Sequence, residues 1–208
     1  MRSIRSRLPA VGAVALTVVL ALGLAACSND PLADQYRAGD NKGYIAGDRS
    51  VVEIAADQRG EPVEFAATTE TGAPVSSEDY VGGVLVVNFW YAGCGPCRAE
   101  AGDLEEAYTS FDGEDVAFLG INTIDSAAAA TAFAETYGVT YPSVIASETP
   151  AVKLAFAEKT PIQATPTTLV LDAQGRVAAR IIGQLPDTSI LKTLIRDTLA
   201  ESAPESGS

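Results

Sequence analysis

The chain has 208 residues, 47% hydrophobic and 20% charged, the balance of a protein that folds around an apolar core rather than staying disordered. Its formal net charge is −13 and it contains no histidine. The acidic excess argues against a nucleic-acid partner, and the missing imidazole removes His-based triads, Cys–His proteases, haem attachment through Cys-x-x-Cys-His and every His-ligated metal site.

Residues 1–26 read as an address. Arg2, Arg5 and Arg7 lead, without any acid, into the apolar stretch Val11 to Leu24, which ends on Ala25 and Ala26. This is the build of a bacterial export signal. A single transmembrane anchor is the alternative, although the run is shorter than the roughly 20 residues a span prefers. Removing the segment leaves 11 basic and 27 acidic residues, a net charge of −16. Leu24-Ala25-Ala26-Cys27 resembles the lipobox of bacterial lipoproteins. That likeness implies that the Cys27 thiol takes a diacylglycerol and becomes the mature N-terminus. Each buried CH₂ of an acyl chain contributes about 0.8 kcal/mol, so several chains hold a domain on a membrane. Either way the domain is expected on the extracytoplasmic face of the cell membrane, with Cys94 and Cys97 as the remaining cysteine pair.

Residues 27–61 are polar and glycine-rich, a tether and lead-in in which Val51 to Ile54 is a candidate edge strand. Residues 62–201 form the folded domain, and 202–208 a polar tail expected to be disordered. Within the domain, Val84 to Trp90 is a near-continuous apolar run, as a central strand buried on both faces should be. A helix is predicted from Pro96 to Phe111, a strand from Val116 to Asn122, and an alanine-rich helix from Ser126, its cap, to Tyr137. Pro142 to Ala146 reads as a short strand and Ala151 to Glu158 as a short helix. Thr167 to Leu171 and Val177 to Ile182 flank Asp172-Ala-Gln-Gly175 as a hairpin. Asp187 to Ala200 closes the chain as a helix with Leu191, Leu194, Ile195 and Leu199 on one side. Strand–helix–strand units, a hairpin and a last helix give an α/β fold with a mixed sheet.

The pair Cys94-Gly-Pro-Cys97 admits three readings. A structural zinc site needs four ligands, and two thiolates without imidazole supply them only through dimerisation, so no metal is expected. A structural disulfide is open to an exported protein, but so small a loop stabilises little. A redox centre fits the position best. Cys94 falls at a helix N-terminus, where free N–H groups and the dipole favour a thiolate.

Val86-Val-Asn-Phe-Trp90 followed by Cys94-Gly-Pro-Cys97-Arg98-Ala99-Glu100, with Thr165-Pro166-Thr167 downstream, resembles the membrane-anchored thioredoxin-like thiol–disulfide oxidoreductases of the TlpA/ResA/DsbE type. The likeness runs from about Val63 to Ala200. It implies a three-layer thioredoxin-like sandwich with a mixed central sheet and an inserted strand–helix segment around Ser126 to Ala146. It implies Cys94 as the exposed nucleophile, Cys97 as the resolving thiol, and Pro166 as a cis-proline that frees Thr165 to pair with an extended substrate. Glu100 matches an acid implicated in proton transfer; a solvated carboxylate in the first helical turn is the plainer reading. Asn88 stands where classical thioredoxins have a buried aspartate and can only hydrogen-bond. Trp90 is assigned beside the substrate as a packing wall. Three positions depart from the family pattern: Gly93 in place of a common tryptophan, Gly102 in place of a helix-kinking proline, and Val84 in place of a basic residue.

The expected activity is extracytoplasmic thiol–disulfide exchange with exported proteins. The family likeness suggests reduction, fed by a membrane electron donor and serving cytochrome c maturation. No cofactor beyond the Cys94–Cys97 couple is expected. Oxidation of exported thiols would use the same residues; a non-catalytic thioredoxin-like binding lipoprotein and a thiol peroxidase are the other classes weighed.

Overall fold

The computed structural model describes residues 50–159 and 164–202. The expected signal segment, Cys27 and most of the expected C-terminal tail lie outside the described residues. Among the described residues there are eight strands, β1 Val51–Glu53, β2 Ala66–Thr68, β3 Pro74–Ser76, β4 Val84–Trp90, β5 Val116–Asn122, β6 Ser143–Ile145, β7 Thr167–Leu171 and β8 Val177–Ile182, and four α-helices, α1 Gly95–Thr109, α2 Ala127–Tyr137, α3 Pro150–Lys159 and α4 Thr188–Ser202. Six strands form one sheet in the order β1-β8-β7-β4-β5-β6. The β4–β5 and β5–β6 pairs are parallel, and β4–β7, β7–β8 and β8–β1 antiparallel. This is the mixed α/β sandwich expected from the sequence.

Strand β4 sits at the centre and every residue of it is buried. Its period of two divides the core. Val84 and Val86 face Leu104, Ala107, Leu191 and Ile195 of α1 and α4. Leu85, Val87 and Phe89 face Phe65 and, from α3, Val152 and Phe156. Trp90 closes a third cluster with Cys94, Cys97, Ala101 and, from α2, Ala130 and Phe133. Each large side chain removed from water contributes on the order of 1.5–3 kcal/mol, which fixes both helical layers to the sheet.

Two glycines shape the entry to β4. Gly83, before β4, has the Asp115 carbonyl where a Cβ would stand, and the preceding Gly82 turns with φ 96°. Ser126 caps α2 through the Ala129 N–H, and Gly138 ends it at φ 71°.

The segment read as lead-in contributes β1 and more. The Arg59 side chain, 2% exposed, meets Asp172 at 3.0 Å and Glu201 at 2.6 Å, tying the chain before the domain to the β7–β8 hairpin and to α4. The β2–β3 hairpin was not foreseen. Its strands are three residues each and follow no clear alternation. It docks on the outer edge of β6 through a Thr69–Val144 bridge.

Candidate active site

Strand β4 ends at Trp90, and a loop of three residues leads to the cap of α1. Cys94 is the N-cap of that helix, Gly95 its first residue, and Pro96 lies in the first turn, where its missing N–H costs nothing. Cys94 and Cys97 form a disulfide with Cα atoms 5.2 Å apart. The Cys97 N–H donates to Cys94 Sγ at 3.1 Å. That donor and the helix dipole are the groups that would stabilise a Cys94 thiolate on reduction.

The cysteines differ less in exposure than expected. Cys94 is 3% exposed and Cys97 2%, so Cys94 is not the open nucleophile of the sequence reading. The Cys94 sulfur lies 3.8 Å from the Thr165 carbonyl oxygen, under the loop before β7. Gly93, Gly95 and Pro96 around it are exposed, so the disulfide forms the floor of an open rim. The Thr165–Pro166 peptide is cis. Pro166 is buried and Thr165 half-buried.

The loop before Cys94 is held from both sides. The Ala92 N–H donates to Asp125 Oδ2 at 2.6 Å, and Arg98 Nη1 donates to the Ala92 carbonyl at 3.2 Å. Asp125 is itself held by Asn122, whose Nδ2 donates to Oδ2 at 2.8 Å and whose Oδ1 accepts the Asp125 N–H at 2.7 Å. Asn122 and Asp125 were missed from sequence. Their spacing, an Asn at a strand end with an Asp three residues on, was the available signal of a side-chain-closed turn.

Glu100 is not a solvated carboxylate. It is fully buried, with Oε1 accepting from Asn88 Nδ2 at 3.0 Å and Oε2 from the Leu185 N–H at 2.6 Å. Asn88 also donates to Thr168 Oγ1 at 3.1 Å, so its hydrogen bonds join β4 to both α1 and β7. Burial pushes the Glu100 carboxyl up to about 7; the two N–H donors oppose the shift and Asp103 adds to it. Burial also holds the Tyr141 hydroxyl well above its ordinary range, with Glu100 and Glu105 adding to the effect.

Trp90 is 5% exposed, packs at a tilt on Phe133 with 4.3 Å between centroids, and donates from Nε1 to Ser143 Oγ at 3.3 Å. It packs against the cysteine pair and α2 and offers little surface to a substrate. Gly120 makes room for that hydrogen bond, since a Cβ there would strike both partners. Among the described residues no group of three or more Cys, Asp or Glu side chains could hold a metal ion.

A family model described as Redoxin matches residues 55–195, more than half of the chain. The thiol–disulfide oxidoreductase ResA of Bacillus subtilis (strain 168) is 26% identical over 126 residues, which cover 61% of this chain and 68% of that protein. The crystal structure of a thiol:disulfide interchange protein of the thioredoxin family from Chlorobium tepidum TLS superposes with a TM-score of 0.62 at 27% identity, covering 68% of this chain and 97% of the other. A DsbF homologue from Corynebacterium diphtheriae superposes with a TM-score of 0.60, also at 27% identity, covering 76% and 99%.

Proposed function

The chain belongs to the Redoxin family and is a thioredoxin-like thiol–disulfide oxidoreductase of the TlpA/ResA/DsbE kind acting on protein thiols and disulfides, and from that premise we propose that it is an extracytoplasmic reductant. The observation that carries this reading is the disulfide at the N-terminus of α1, aimed at the cis-proline loop.

In the reduced protein, the Cys94 thiolate attacks one sulfur of a partner disulfide and the second partner sulfur leaves as a thiolate. Cys97 then attacks Cys94, restores the internal disulfide and releases the partner's other thiol. Thr165, half-buried beside Cys94, presents backbone to an extended substrate segment. Glu100, three residues after Cys97 on α1 and with no cation among its partners, weighs against a Cys97 thiolate when it is ionised. The Cys94 sulfur has one N–H donor, and a buried carboxyl stands in the same layer. That environment stabilises thiolate modestly, which favours the electron-donating end of the redox scale.

The export signal and the lipobox Cys27 support placement on the outer face of the cell membrane, with reducing equivalents drawn from a membrane donor. Among the described residues no helix is long and apolar enough to cross a membrane. The ResA likeness supports substrates such as apocytochrome c cysteines awaiting haem. Cells producing Cys97→Ser are expected to accumulate mixed disulfides between Cys94 and exported proteins, identified by mass spectrometry after alkylation. A folded variant that accumulates no such adduct contradicts the proposal.

A further inference from the structure

The Cys97 thiol has to lose a proton each time it resolves a mixed disulfide, and it does so from a site that is 2% exposed. Glu100 has no outlet of its own. It is fully buried, and both of its oxygens are engaged by amide donors that do not pass protons on.

On the α2 side of the cysteine pair lies a cavity of about 10 Å³, lined by Cys97, Asn88, Tyr141, Ser143, Trp90 and Glu70 together with apolar residues of α1 and α2. That volume is the size of one water molecule, and four polar side chains besides the thiol and the indole face it, the number of partners a buried water takes. Tyr141 is 6% exposed, and no other described residue hydrogen-bonds its hydroxyl. Glu70 arrives from the tip of the β2–β3 hairpin. Its N–H donates to the Ser143 carbonyl at 2.8 Å, and its Oε2 accepts the Ser143 N–H at 2.7 Å, leaving Oε1 unengaged. Glu70 is half-buried and so reaches water on its outer side.

We propose that a single water in this cavity links Cys97 to Glu70 and that Glu70 is the exit through which the resolving proton leaves the protein. The inference rests on the resolving role of Cys97 proposed above. In the step, the Cys97 S–H proton passes to the water as the water gives one to the Glu70 carboxylate. The resulting thiolate forms the Cys94–Cys97 bond, and the Cys94–substrate bond breaks. The substrate sulfur leaves with the electron pair and takes its proton from solvent. The cysteine pair is oxidised, the substrate disulfide is reduced, and Glu70 returns its proton to bulk water. Because Glu70 acts through the water, it is a positioning residue for this transfer. The ionisable groups around the path are Cys97, Glu100, Asp103 and Glu105 on α1, Tyr141 before β6 and Glu70 on the hairpin; no cation lines the cavity.

Glu70→Gln keeps an oxygen for the Ser143 N–H and removes only the proton acceptor. Single-turnover oxidation of the reduced full-length protein by a peptide disulfide, followed by the fluorescence of its single tryptophan between pH 5.5 and 9, resolves the second step. In Glu70→Gln that step is expected to slow by at least about tenfold near pH 7, short of the roughly 10²–10⁴-fold that positioned proton transfer contributes, and to recover as hydroxide rises. Tyr141→Phe, which leaves the hairpin clip intact, is expected to slow it in the same direction. A Glu70→Gln pH profile that superimposes on the wild type overturns the relay and leaves Glu70 as a strut, with the exchange mechanism standing. A wild type that forms the mixed disulfide and never resolves it overturns the role of Cys97, and the relay with it.

Discussion

Two buried carboxylates, Glu100 and Asp172, have been treated in opposite ways by the same fold. Both are almost inaccessible, at 0% and 3% exposure. Burial alone would push both toward the neutral acid. At Asp172 that push is outweighed by the Arg176 N–H, the Arg59 and Arg176 guanidinium groups and the Gln174 N–H, and the carboxyl is held below its ordinary range. At Glu100 the partners are two neutral N–H donors, and the carboxyl rises to about 7. Cations make Asp172 a fixed charge that staples the lead-in, hairpin and last helix. Their lack makes Glu100 a group that can change protonation beside the cysteines near neutral pH.

The largest effect is expected from breaking the fixed charge. Asp172→Asn leaves Arg59 with Glu201 as its remaining ionic partner and should cost about 3 kcal/mol in urea unfolding, the low end for a buried pair that loses one member. The wild-type contribution is present above the unfolded value of 3.8 and lost as pH falls through the depressed folded value. The acid limb of the stability curve below about pH 4 should therefore flatten in the variant.

Glu100→Gln tests the other half. A carboxyl raised from 4.5 to about 7 binds more protons folded than unfolded between those values, so stability falls as pH rises through that window. The fall amounts to about 3 kcal/mol, and Glu100→Gln should remove that slope in unfolding curves recorded from pH 4.5 to 8. The smallest effect is a control on the same helix. Gly102 is exposed, and an added Cβ meets nothing within 4 Å. Gly102→Ala should raise the melting temperature through about 0.5–1 kcal/mol of helix stabilisation and leave both pH slopes unchanged.

The contrast also separates what the sequence exposes from what it hides. Strand β4, helix α1 and the β7–β8 hairpin are written locally, in an apolar run, a Gly-Pro helix entry and an Asp-Ala-Gln-Gly turn. Cys94, Cys97 and Pro166 were legible because a local motif and a short downstream tripeptide carry them. What Glu100 does depends on meeting Leu185, 85 positions away, and what Arg59 does depends on Asp172, 113 positions away. No local pattern encodes such pairings. Glu70 was invisible for the same reason, since it acts by reaching across to Ser143; Asp125 showed its local turn with Asn122 but not its reach to Ala92. The β2–β3 hairpin escaped because its strands are too short to show a period.

The proposed electron-donating role of the Cys94–Cys97 couple draws its support from the cation-free surroundings of Glu100 and the single N–H donor on Cys94. Equilibrium titration of the full-length protein against dithiol buffers at pH 7 tests this most directly. A midpoint near about −270 mV, the thioredoxin end of the scale, is expected; a midpoint near about −120 mV would contradict it and make the protein an oxidant.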